Sequence, residues 1–229
     1  MSNRLDKIAE LIQEGRGVID VGTDHGYIPV MLCGRGYAGN IIAADINEAP
    51  LGAAKRAAGQ AGFEDSIAFC LTDGLAGIAS ELIDTIVIAG MGGDTITGIL
   101  DRDYWCCQDG YKLILQPMSH QNVLRYWLVY NEFEITAEYL VKDGGNIYEI
   151  MEVQKGEAPN YRDAEFFTGK YESASKNALF PEKLSELIKK FTSRVSGMES
   201  GKSIDDGLLR LNRTVLGELK LMQRRYEND

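Results

Sequence analysis

Hydrophobic and polar positions alternate along the first 130 residues between short apolar runs and longer amphipathic stretches. The apolar runs predict buried strands at Val18–Val21, Ile41–Ala44, Ile67–Leu71, Thr85–Ala89 and Leu113–Leu115. Helical patterns precede or separate them, at Leu5–Ile12, Tyr27–Arg35, Pro50–Ala61, Asp94–Leu100 and Ser119–Tyr130. Strands that are apolar on both faces belong in a parallel sheet covered by helices. The pattern therefore predicts a doubly wound α/β fold.

The hydrophobic pattern changes to a period of two at Phe133. Residues 133–142 alternate, Asp143-Gly144-Gly145 supplies a turn, and the alternation returns from Asn146 to Val153. This pattern predicts an antiparallel hairpin. Parallel strands that end in a hairpin differ from the all-parallel sheet of a dinucleotide-binding domain and match a class I methyltransferase sheet. The predicted topology thus favours S-adenosylmethionine (SAM) over NAD.

Two long helical stripes follow once the strand patterns end near Gly156. The first stripe comprises Leu184, Leu187, Ile188, Phe191, Val195 and Met198, and the second comprises Leu208, Leu211, Val215, Leu219 and Met222. With a break at Gly197–Gly201, they predict an antiparallel helical hairpin. We therefore expect two domains, a SAM-binding domain at residues 1–155 and a coiled-coil-like helical domain at residues 156–229.

The charge of the chain is distributed unevenly. At 229 residues and 45% hydrophobic content, the chain can bury an α/β core and an appended unit. Its net charge of -10 argues against binding nucleic acid by bulk electrostatics. However, residues 1–155 carry 11 Lys+Arg against 22 Asp+Glu, whereas residues 156–229 carry 13 against 12. Any contact with RNA is therefore expected in the C-terminal third.

The predicted C-terminal helices offer two interpretations. Apolar stripes usually form only the seam between helices. Alternatively, their outward faces contact RNA phosphates through Lys183, Lys189, Lys190, Arg194, Arg210, Arg213, Arg224 and Arg225. Of these, Lys189, Lys190 and Arg194 are our predicted tRNA contacts.

The cysteines and the N-terminal stretch indicate an intracellular protein without a metal. Cys33, Cys70, Cys106 and Cys107 fall at no zinc-ligand spacing and form no C-x-x-C pair. We expect reduced thiols, a cytoplasmic location and no metal. The N-terminal stretch is amphipathic, which indicates neither a signal peptide nor a membrane span. We expect a monomer or a weak dimer.

The turn after the first predicted strand carries the main candidate chemistry. Its sequence is Asp20-Val-Gly22-Thr-Asp24-His25-Gly26-Tyr27. Gly22 lets the backbone approach a ligand, and Gly26 opens the next helix. The spacing is not G-x-G-x-x-G, and Asp24 would repel a pyrophosphate. SAM has no phosphate and carries cationic ammonium and sulfonium groups, so an acidic turn suits it. The alternative is a structural turn whose acids are incidental.

Two further strands end in acidic residues. Asp45 follows Gly22 by 23 residues, close to the interval at which a carboxylate accepts hydrogen bonds from ribose hydroxyls. Capping of the next helix is the alternative, although Asn47 could provide that cap. Asp73 is expected to accept from an adenine amino group while Gly74 lets the backbone lie against the ring. Otherwise Asp73 is a turn residue.

The fourth predicted strand leads into the glycine-rich segment Ala89-Gly-Met-Gly-Gly-Asp94. We interpret Gly90 as a cofactor contact and the following residues as an open wall for a flat base, with tight packing as the alternative. Gln116, at the end of the fifth strand, would either recognise a base edge or bond to nearby backbone. At the ends of these two strands, the predicted substrate contacts are Met91, Gly92, Gly93, Gln116 and Pro117.

These motifs resemble those of the bacterial tRNA (adenine-22-N1)-methyltransferase family over nearly the whole chain. The matching segments are Arg4-Leu5, Asp20–Tyr27, Asp73-Gly74, Ile88–Gly93, Leu115–Pro117, Tyr148-Glu149, Lys176-Asn177 and the helical pair. The resemblance implies a class I SAM-dependent domain with a C-terminal helical hairpin that methylates N1 of an adenine in the tRNA D-arm. Two positions depart from the family, since Met118 replaces an expected Asn and Asp45 an expected Glu.

The site residues can be assigned roles on this basis. Asp24 would stabilise positive charge on the alkylated adenine or bind the methionine ammonium, and His25 would position the reacting groups. The predicted cofactor contacts are Gly22, Asp24, Gly26, Tyr27, Asp45, Asp73, Gly74 and Gly90. Two other functions remain open. One is a methyltransferase for a small molecule or protein, and the other is a nucleotide-binding regulator without turnover.

Overall fold

The computed structural model describes residues 3–201 and 205–228. The chain forms two compact units. The first contains the chain up to Ala137 together with Val141–Ala158, and the second contains Glu138–Leu140 and the chain from Pro159 onward. The boundary after residue 155 stays a prediction.

Within the described residues, one sheet contains seven strands. They are β1 (Gly17–Val21), β2 (Asn40–Asp45), β3 (Ala68–Leu71), β4 (Thr85–Gly92), β5 (Lys112–Ser119), β6 (Phe133–Asp143) and β7 (Asn146–Lys155). Their order is β3-β2-β1-β4-β5-β7-β6. The pairs among β1 to β5 are parallel, and β7 pairs with β5 in the antiparallel direction. The predicted doubly wound sheet with a final hairpin is confirmed.

Helices accompany the parallel strands in the alternation that the sequence predicts. They are α1 (Asn3–Leu11), α2 (Tyr27–Gly34), α3 (Glu48–Ala61), α4 (Gly93–Arg102) and α5 (Gln121–Tyr130), with short 3-10 turns at Glu64–Ser66, Ser80–Leu82 and Tyr104–Cys107. The middle parts of the central strands are fully buried, as at Ile19, Val87 and Ile114. Parallel strands have this burial when helices cover both faces of the sheet.

The strand order reverses between β1 and β4. The chain proceeds outward from β1 to β3 and then returns to place β4 on the other side of β1. In open α/β sheets, ligands bind outside the carboxyl ends of the strands at such a reversal. The fold therefore directs attention to the segments that follow Val21 in β1 and Ile88 in β4.

The fourth strand is longer than predicted. It was expected to end at Ala89, whereas β4 continues to Gly92 with register shifts at Ala89/Met91 and Met91/Gly92, so the glycine-rich segment includes the bulged end of the strand. The pattern of apolar residues ends at Ala89, whereas the backbone pairing with β5 continues. A β-bulge inserts a residue without ending the strand pairing, which hydrophobic periodicity does not reveal.

Apart from Glu138–Leu140, which belong to β6, the regular elements of the second unit are helices. They are α6 (Glu165–Thr168), α7 (Tyr171–Ala174), α8 (Phe180–Glu199) and α9 (Asp206–Asn228). Phe180 at the start of α8 lies 5.8 Å from Tyr226 near the end of α9, measured between ring centroids. Glu199 at the end of α8 accepts a hydrogen bond from Arg213 in the first half of α9. The two long helices are therefore antiparallel.

The seam between α8 and α9 differs in detail from the predicted stripes. Leu208 and Leu211 are 49% and 44% exposed, and the buried positions are Leu209 and Asn212. The Asn212 side-chain amide donates to the Leu208 carbonyl oxygen at 2.8 Å, so this amide is satisfied within the helix. A stripe built only from apolar residues misses such a position. Helix α8 also continues through the predicted break at Gly197 to Glu199.

Lys183 was wrongly predicted to lie on an outward face. It is buried. It follows Phe180 by three residues, and this spacing places both side chains on the same face of a helix. Since Phe180 belongs to the core of the second unit, Lys183 lies on the packed side of α8.

Candidate active site

The β1–α2 turn has an unusual backbone conformation. Gly22, Asp24 and Gly26 have φ angles of +73°, +51° and +69°. The Ala44 carbonyl oxygen accepts hydrogen bonds from the backbone N–H groups of Gly22 and Thr23 at 2.8 and 3.0 Å. A positive φ is uncommon outside glycine, and aspartate is among the residues that tolerate it. These hydrogen bonds fix the turn to the end of β2, and the Asp24 side chain is exposed.

A cavity of about 700 Å³ lies at the carboxyl ends of β1 to β4. Its wall includes Arg102, Thr95 and seven of the predicted site residues: Gly22, Asp24, Asp45, Asp73, Gly74, Gly90 and Met91. The structure therefore brings the three predicted strand-end carboxylates to one cavity, which we call the larger cavity. Because it is lined by acids, it suits hydroxyl, amino and cationic groups of a ligand.

A smaller cavity of about 250 Å³ adjoins the larger one. Both cavities are lined by Gly22, Asp24, Ala89 and Gly90. The remaining wall of the smaller cavity comes from Arg4, Leu5, Asp20, Thr23, Tyr27, Ile28 and Met118. One ligand can therefore extend from the larger cavity past the β1–α2 turn into the smaller one.

Asp45 combines two of the roles considered from the sequence. It is buried, lines the larger cavity and accepts a hydrogen bond from the Asn47 backbone N–H at 2.9 Å. Asn47 is the N-cap residue of α3, and its side chain makes no capping bond. One carboxylate thus fixes the entry to α3 while it lines the cavity.

Asp73 forms an ion pair that sequence reasoning missed. The two Arg102 guanidinium nitrogens donate to its two oxygens at 2.7 and 2.8 Å. This hydrogen bonding raises the pKa of Arg102. Arg102 lies at the end of α4 and not at a strand end, so no motif indicated it. An adenine amino group at Asp73 would have to share this carboxylate with Arg102.

Asp20 is a second residue that sequence reasoning did not include in the site. It is 4% exposed and lines the smaller cavity, and its carboxylate accepts a hydrogen bond from the Thr23 hydroxyl at 2.7 Å. Burial raises the pKa of Asp20 to about 6; the Thr23 hydrogen bond opposes the increase, and repulsion from Asp45 adds to it. A single acid within the apolar run of β1 was the available signal.

His25 and Gly26 lie in the turn but line neither cavity. The His25 Nε2 atom is 3.7 Å from an Asp24 carboxylate oxygen, and the His25 ring is 5.5 Å from the Tyr27 ring. A Cβ atom on Gly26 would lie 2.9 Å from the Ala54 Cβ atom. Gly26 therefore allows α2 to approach α3 closely, and a catalytic role for His25 stays a prediction.

Side-chain hydrogen bonds connect the carboxyl ends of β4 and β5, which we call the rim. Gln116 is fully buried, and its carbonyl oxygen accepts hydrogen bonds from the Arg4 guanidinium and from the Gly90 backbone N–H. Its amide nitrogen donates to the Pro117 carbonyl oxygen at 3.0 Å. In this structure Gln116 thus bonds to the Arg4 side chain as well as to nearby backbone, and its contact with a base edge stays a prediction.

Gly93 also has a packing function. A Cβ atom at this position would lie 2.3 Å from the backbone carbonyl oxygen of His120. Gly92, Gly93, Gln116 and Pro117 line neither cavity, whereas Met91 lines the larger one. Contacts of these residues with a substrate stay predictions.

The predicted RNA-binding cations lie on α8 in the second unit. Lys189, Lys190 and Arg194, which we call the α8 cations, are exposed. The Arg194 guanidinium lies 5.2 Å from the centroid of the Phe191 ring. The α8 cations are therefore accessible to an anionic partner.

Within residues 3–201 and 205–228, no group of three or more His, Cys, Asp or Glu side chains is arranged to hold a metal ion. Over the same ranges, no helix has the length and apolar character needed to cross a membrane.

The chain is similar to known methyltransferases in sequence. A family model described as a methyltransferase domain matches residues 1–151. The tRNA (adenine(22)-N(1))-methyltransferase of Bacillus subtilis is 31% identical over 193 residues, which cover 82% of this chain and 81% of the relative.

Solved structures share the fold over almost the full length. A putative tRNA (m1A22) methyltransferase of Streptococcus pneumoniae, in complex with S-adenosyl-L-methionine, superposes with a TM-score of 0.83 at 27% identity, covering 97% of this chain and 99% of that one. The M1A22 tRNA methyltransferase of B. subtilis gives a TM-score of 0.80 at 27% identity and covers 100% and 97%. The similarity thus includes the helical second unit.

Proposed function

Because the chain belongs to the tRNA (adenine(22)-N(1))-methyltransferase family, we propose that it transfers a methyl group from SAM to N1 of an adenine in the D-arm of tRNA. Family membership confirms the resemblance found in the sequence motifs. The observation that carries the proposal is the convergence of Asp24, Asp45 and Asp73 on one cavity. These carboxylates come from three separate strand ends.

The larger cavity suits the adenosine part of the donor. Its volume of about 700 Å³ is within the range of roughly 300 to 1,000 Å³ that is usual for small-molecule sites. Asp45 supplies an acceptor for ribose hydroxyls, and Asp73 supplies one for the adenine amino group. The acidic turn disfavours a pyrophosphate, which supports SAM over a dinucleotide.

The chemistry requires alignment more than proton transfer. When bound, SAM would supply a sulfonium methyl group: the lone pair of a neutral nitrogen would bond to the methyl carbon in line, and the thioether S-adenosylhomocysteine would leave with the electrons of the carbon–sulfur bond. Adenine N1 is neutral and has its lone pair in the ring plane, so no residue has to deprotonate it. The principal task of this chain is therefore to hold the two reactants in line.

Asp24 is the proposed electrostatic residue. Its side chain is 69% exposed and lies where the two cavities meet. As N1 is alkylated, positive charge spreads over the amidine toward N6, and a nearby carboxylate stabilises it. The same position would also suit the methionine ammonium, and the two roles differ in their effect on rate and affinity.

The target base has to leave its stack. N1 lies on the Watson–Crick edge, so the nucleotide must be unpaired and turned into the site. We assign its approach to the ends of β4 and β5, beside the partly exposed Met91 and Gly92, while the buried Gly93, Gln116 and Pro117 would support this surface from below. The α8 cations would bind the tRNA backbone. We place the reaction in the cytoplasm and propose a monomer or a weak dimer.

Methyl transfer to a defined transcript tests this function. The purified chain is incubated with methyl-labelled SAM and a tRNA transcript carrying adenine at position 22, and the digested product is analysed by mass spectrometry. We expect labelled N1-methyladenosine, and no label in a matched transcript with guanine at that position. A parallel reaction replaces the transcript with extracts of small molecules and of proteins. Label there but not in tRNA would favour the alternative methyltransferase, and binding of SAM without any transfer would favour a regulator.

A further inference from the structure

Cys106 and Cys107 bring two thiols into contact in the core of the first unit. They end the 3-10 turn Tyr104–Cys107 and are 1% and 2% exposed. Consecutive residues of such a turn are rotated by about 120° around its axis, which directs neighbouring side chains apart. The two sulfur atoms are nevertheless 3.8 Å apart, close enough for a hydrogen bond between them. The pair is therefore placed for chemistry between its two sulfurs.

The contact makes the two thiols unequal. The hydrogen bond from Cys106 lowers the pKa of Cys107, against the effect of burial, and the charge of Lys155 lowers it further. Donation of the same hydrogen bond, together with burial, raises the pKa of Cys106. Because the thiolate is the nucleophile in thiol oxidation, Cys107 is the sulfur that reacts first. Cys106 lies next to it and can displace the group that oxidation adds.

A disulfide between these neighbours would be easy to reduce. Consecutive Cα atoms are about 3.8 Å apart, whereas an unstrained disulfide spans roughly 4.4 to 6.8 Å between Cα atoms. Strain of this kind destabilises the oxidised form. Where thiols are kept reduced, the disulfides that do form are usually transient and catalytic or redox-sensing. An oxidised Cys106–Cys107 pair therefore suits a reversible modification and not a structural bridge.

The same turn is bonded to the wall of the larger cavity in two places, and the first is through α4. In its thiol form, Cys107 donates a hydrogen bond from sulfur to the Leu100 carbonyl oxygen at 3.7 Å. Leu100 belongs to α4, which contributes Ile99 and Arg102 to the wall. This contact joins the reactive sulfur directly to a helix that lines the cavity.

Asp103 makes the second connection. It directly precedes the turn, and its carbonyl oxygen accepts a hydrogen bond from the Cys106 backbone N–H at 3.1 Å. Its carboxylate accepts another from the Leu75 backbone N–H, also at 3.1 Å. Leu75 follows Gly74, which lines the larger cavity. A Cβ atom on Gly74 would lie 3.0 Å from the Asp103 carboxylate, so this part of the wall is closely packed against Asp103.

Formation of a disulfide would disturb both connections. The sulfur atoms would have to approach from 3.8 Å to about 2.0 Å, and the buried turn would have to rearrange. The Leu100 carbonyl would lose its S–H donor, and movement of the turn would displace Asp103. Packed interiors transmit such strain because they contain few voids. The wall around Gly74 and Arg102 should therefore loosen.

We propose that Cys106 and Cys107 form a reversible oxidation site whose disulfide alters the wall of the larger cavity and weakens donor binding. With hydrogen peroxide as the oxidant, the Cys107 thiolate attacks one oxygen atom, the O–O bond breaks, and the departing hydroxide takes up the proton released by Cys107. The Cys106 thiol then attacks the sulfenic sulfur, and its proton leaves with the hydroxyl group as water. Two thiols and one peroxide thus give one disulfide and two waters. The effect on the donor rests on the proposed function, whereas the oxidation does not.

Peptide mass spectrometry tests the oxidation. The folded wild-type chain is treated with hydrogen peroxide, denatured, labelled with N-ethylmaleimide and digested with trypsin. The peptide of residues 103–112 contains both cysteines and no methionine, so its mass reports on this pair. We expect two labels without peroxide, and after peroxide an unlabelled peptide that is two hydrogen atoms lighter than the reduced form. Incubation of the oxidised folded chain with glutathione should restore both labels.

Two measurements test the effect on the cavity. The Leu75 amide should exchange its hydrogen about threefold to tenfold faster in the oxidised chain, because its hydrogen bond to Asp103 is weakened. In calorimetry, the Kd of S-adenosylhomocysteine should rise by about threefold to tenfold and return to its original value with glutathione. Hydrogen exchange needs no ligand, so it decides the effect on the wall even in a chain that binds no donor. Such a lack of binding would refute the proposed function separately.

Matched double variants connect these effects with the pair. Cys106→Ala/Cys107→Ala removes both sulfurs and keeps small apolar side chains in the core, and neither measurement should then respond to peroxide. Cys33→Ala/Cys70→Ala removes the other two cysteines, which line neither cavity, and it should respond as the wild-type chain does. Equal responses of the two double variants would assign the effect to oxidation elsewhere in the molecule.

Several other results would overturn the inference. The peptide of residues 103–112 could keep both labels after peroxide, or gain oxygen atoms without forming a disulfide. Glutathione could leave the disulfide intact, which would contradict reversibility. The disulfide could also form without faster exchange at Leu75, which would contradict the effect on the wall. Faster exchange with an unchanged Kd would contradict the effect on the donor.

Discussion

Replacing the buried Asp20 with asparagine should stabilise the first unit at neutral pH. Asp20 is nearly inaccessible, and its ionised form is held in place by one hydroxyl donor, that of Thr23. Asparagine has a similar shape, keeps an oxygen that accepts this hydrogen bond and cannot ionise. The same change should weaken donor binding, because Asp20 lines the smaller cavity.

The magnitude follows from the raised pKa of Asp20. Burial is the main cause of its increase from 3.8 to about 6. At about 1.36 kcal/mol per pKa unit, ionisation of the native carboxyl costs about 3 kcal/mol relative to the unfolded chain. A raised pKa means that the protonated Asp20 contributes to the free energy of unfolding. This contribution is fully present below pH 3.8 and is lost as the pH rises through about 6. The advantage of Asp20→Asn should therefore grow by about 2 to 3 kcal/mol between pH 4 and pH 7.

Urea unfolding followed by tryptophan fluorescence measures this difference. The two tryptophans, Trp105 and Trp127, both belong to the first unit, so the signal reports on the unit that contains Asp20. Wild type and variant are unfolded in parallel from pH 4 to pH 7, and the difference between their free energies of unfolding removes the titration of other groups. A difference that stays constant across this range would refute the argument.

Three other predictions concern the turn, the β4 rim and the second unit. Asp24→Asn should lower the rate of methyl transfer at saturating donor about a hundredfold if Asp24 stabilises the charge that develops on adenine. A higher Kd for S-adenosylhomocysteine with an unchanged rate would instead show that Asp24 binds the methionine ammonium. Unchanged turnover and affinity would exclude both roles. Gly93→Ala should lower the free energy of unfolding in urea by about 3 kcal/mol, because its Cβ atom would overlap the His120 carbonyl oxygen. Gly98→Ala changes a position with open space in the same helix and should leave the stability unchanged or raise it by up to about 1 kcal/mol. Equal effects of the two variants would contradict this packing argument. Changing the three α8 cations to glutamine should weaken tRNA binding and reduce its dependence on salt, without changing S-adenosylhomocysteine affinity. A matched triple glutamine variant at the exposed Arg35, Lys55 and Arg56 should have a smaller effect, and equal effects would argue against docking through α8.

The strands and their acidic ends could be predicted from the sequence because their signals are local. Buried parallel strands are apolar on both faces, and a carboxylate after such a run lies at the carboxyl edge of the sheet. Asp45 and Asp73 were found in this way, and both line the larger cavity. The turn from Asp143 to Gly145 was equally local, since two glycines separate two alternating runs.

Other features depend on contacts between distant segments. Arg102 meets Asp73 across 29 positions, and Arg4 meets Gln116 across 112. No periodic pattern connects such pairs, so sequence reasoning missed Arg102 and gave Arg4 no role in the site. The role of a glycine is equally hard to predict from sequence. The residues around Gly93 do not show whether the missing side chain leaves open space or lets a neighbouring carbonyl approach.

A crystal structure of this chain with S-adenosylhomocysteine tests the central claim most directly. We predict one ligand that spans both cavities, with its ribose hydroxyls on Asp45, its adenine amino group at Asp73 and its amino acid end in the smaller cavity. A ligand bound elsewhere on the molecule, or an empty site at saturating ligand, would contradict the view that these strand ends form a methyl-donor site.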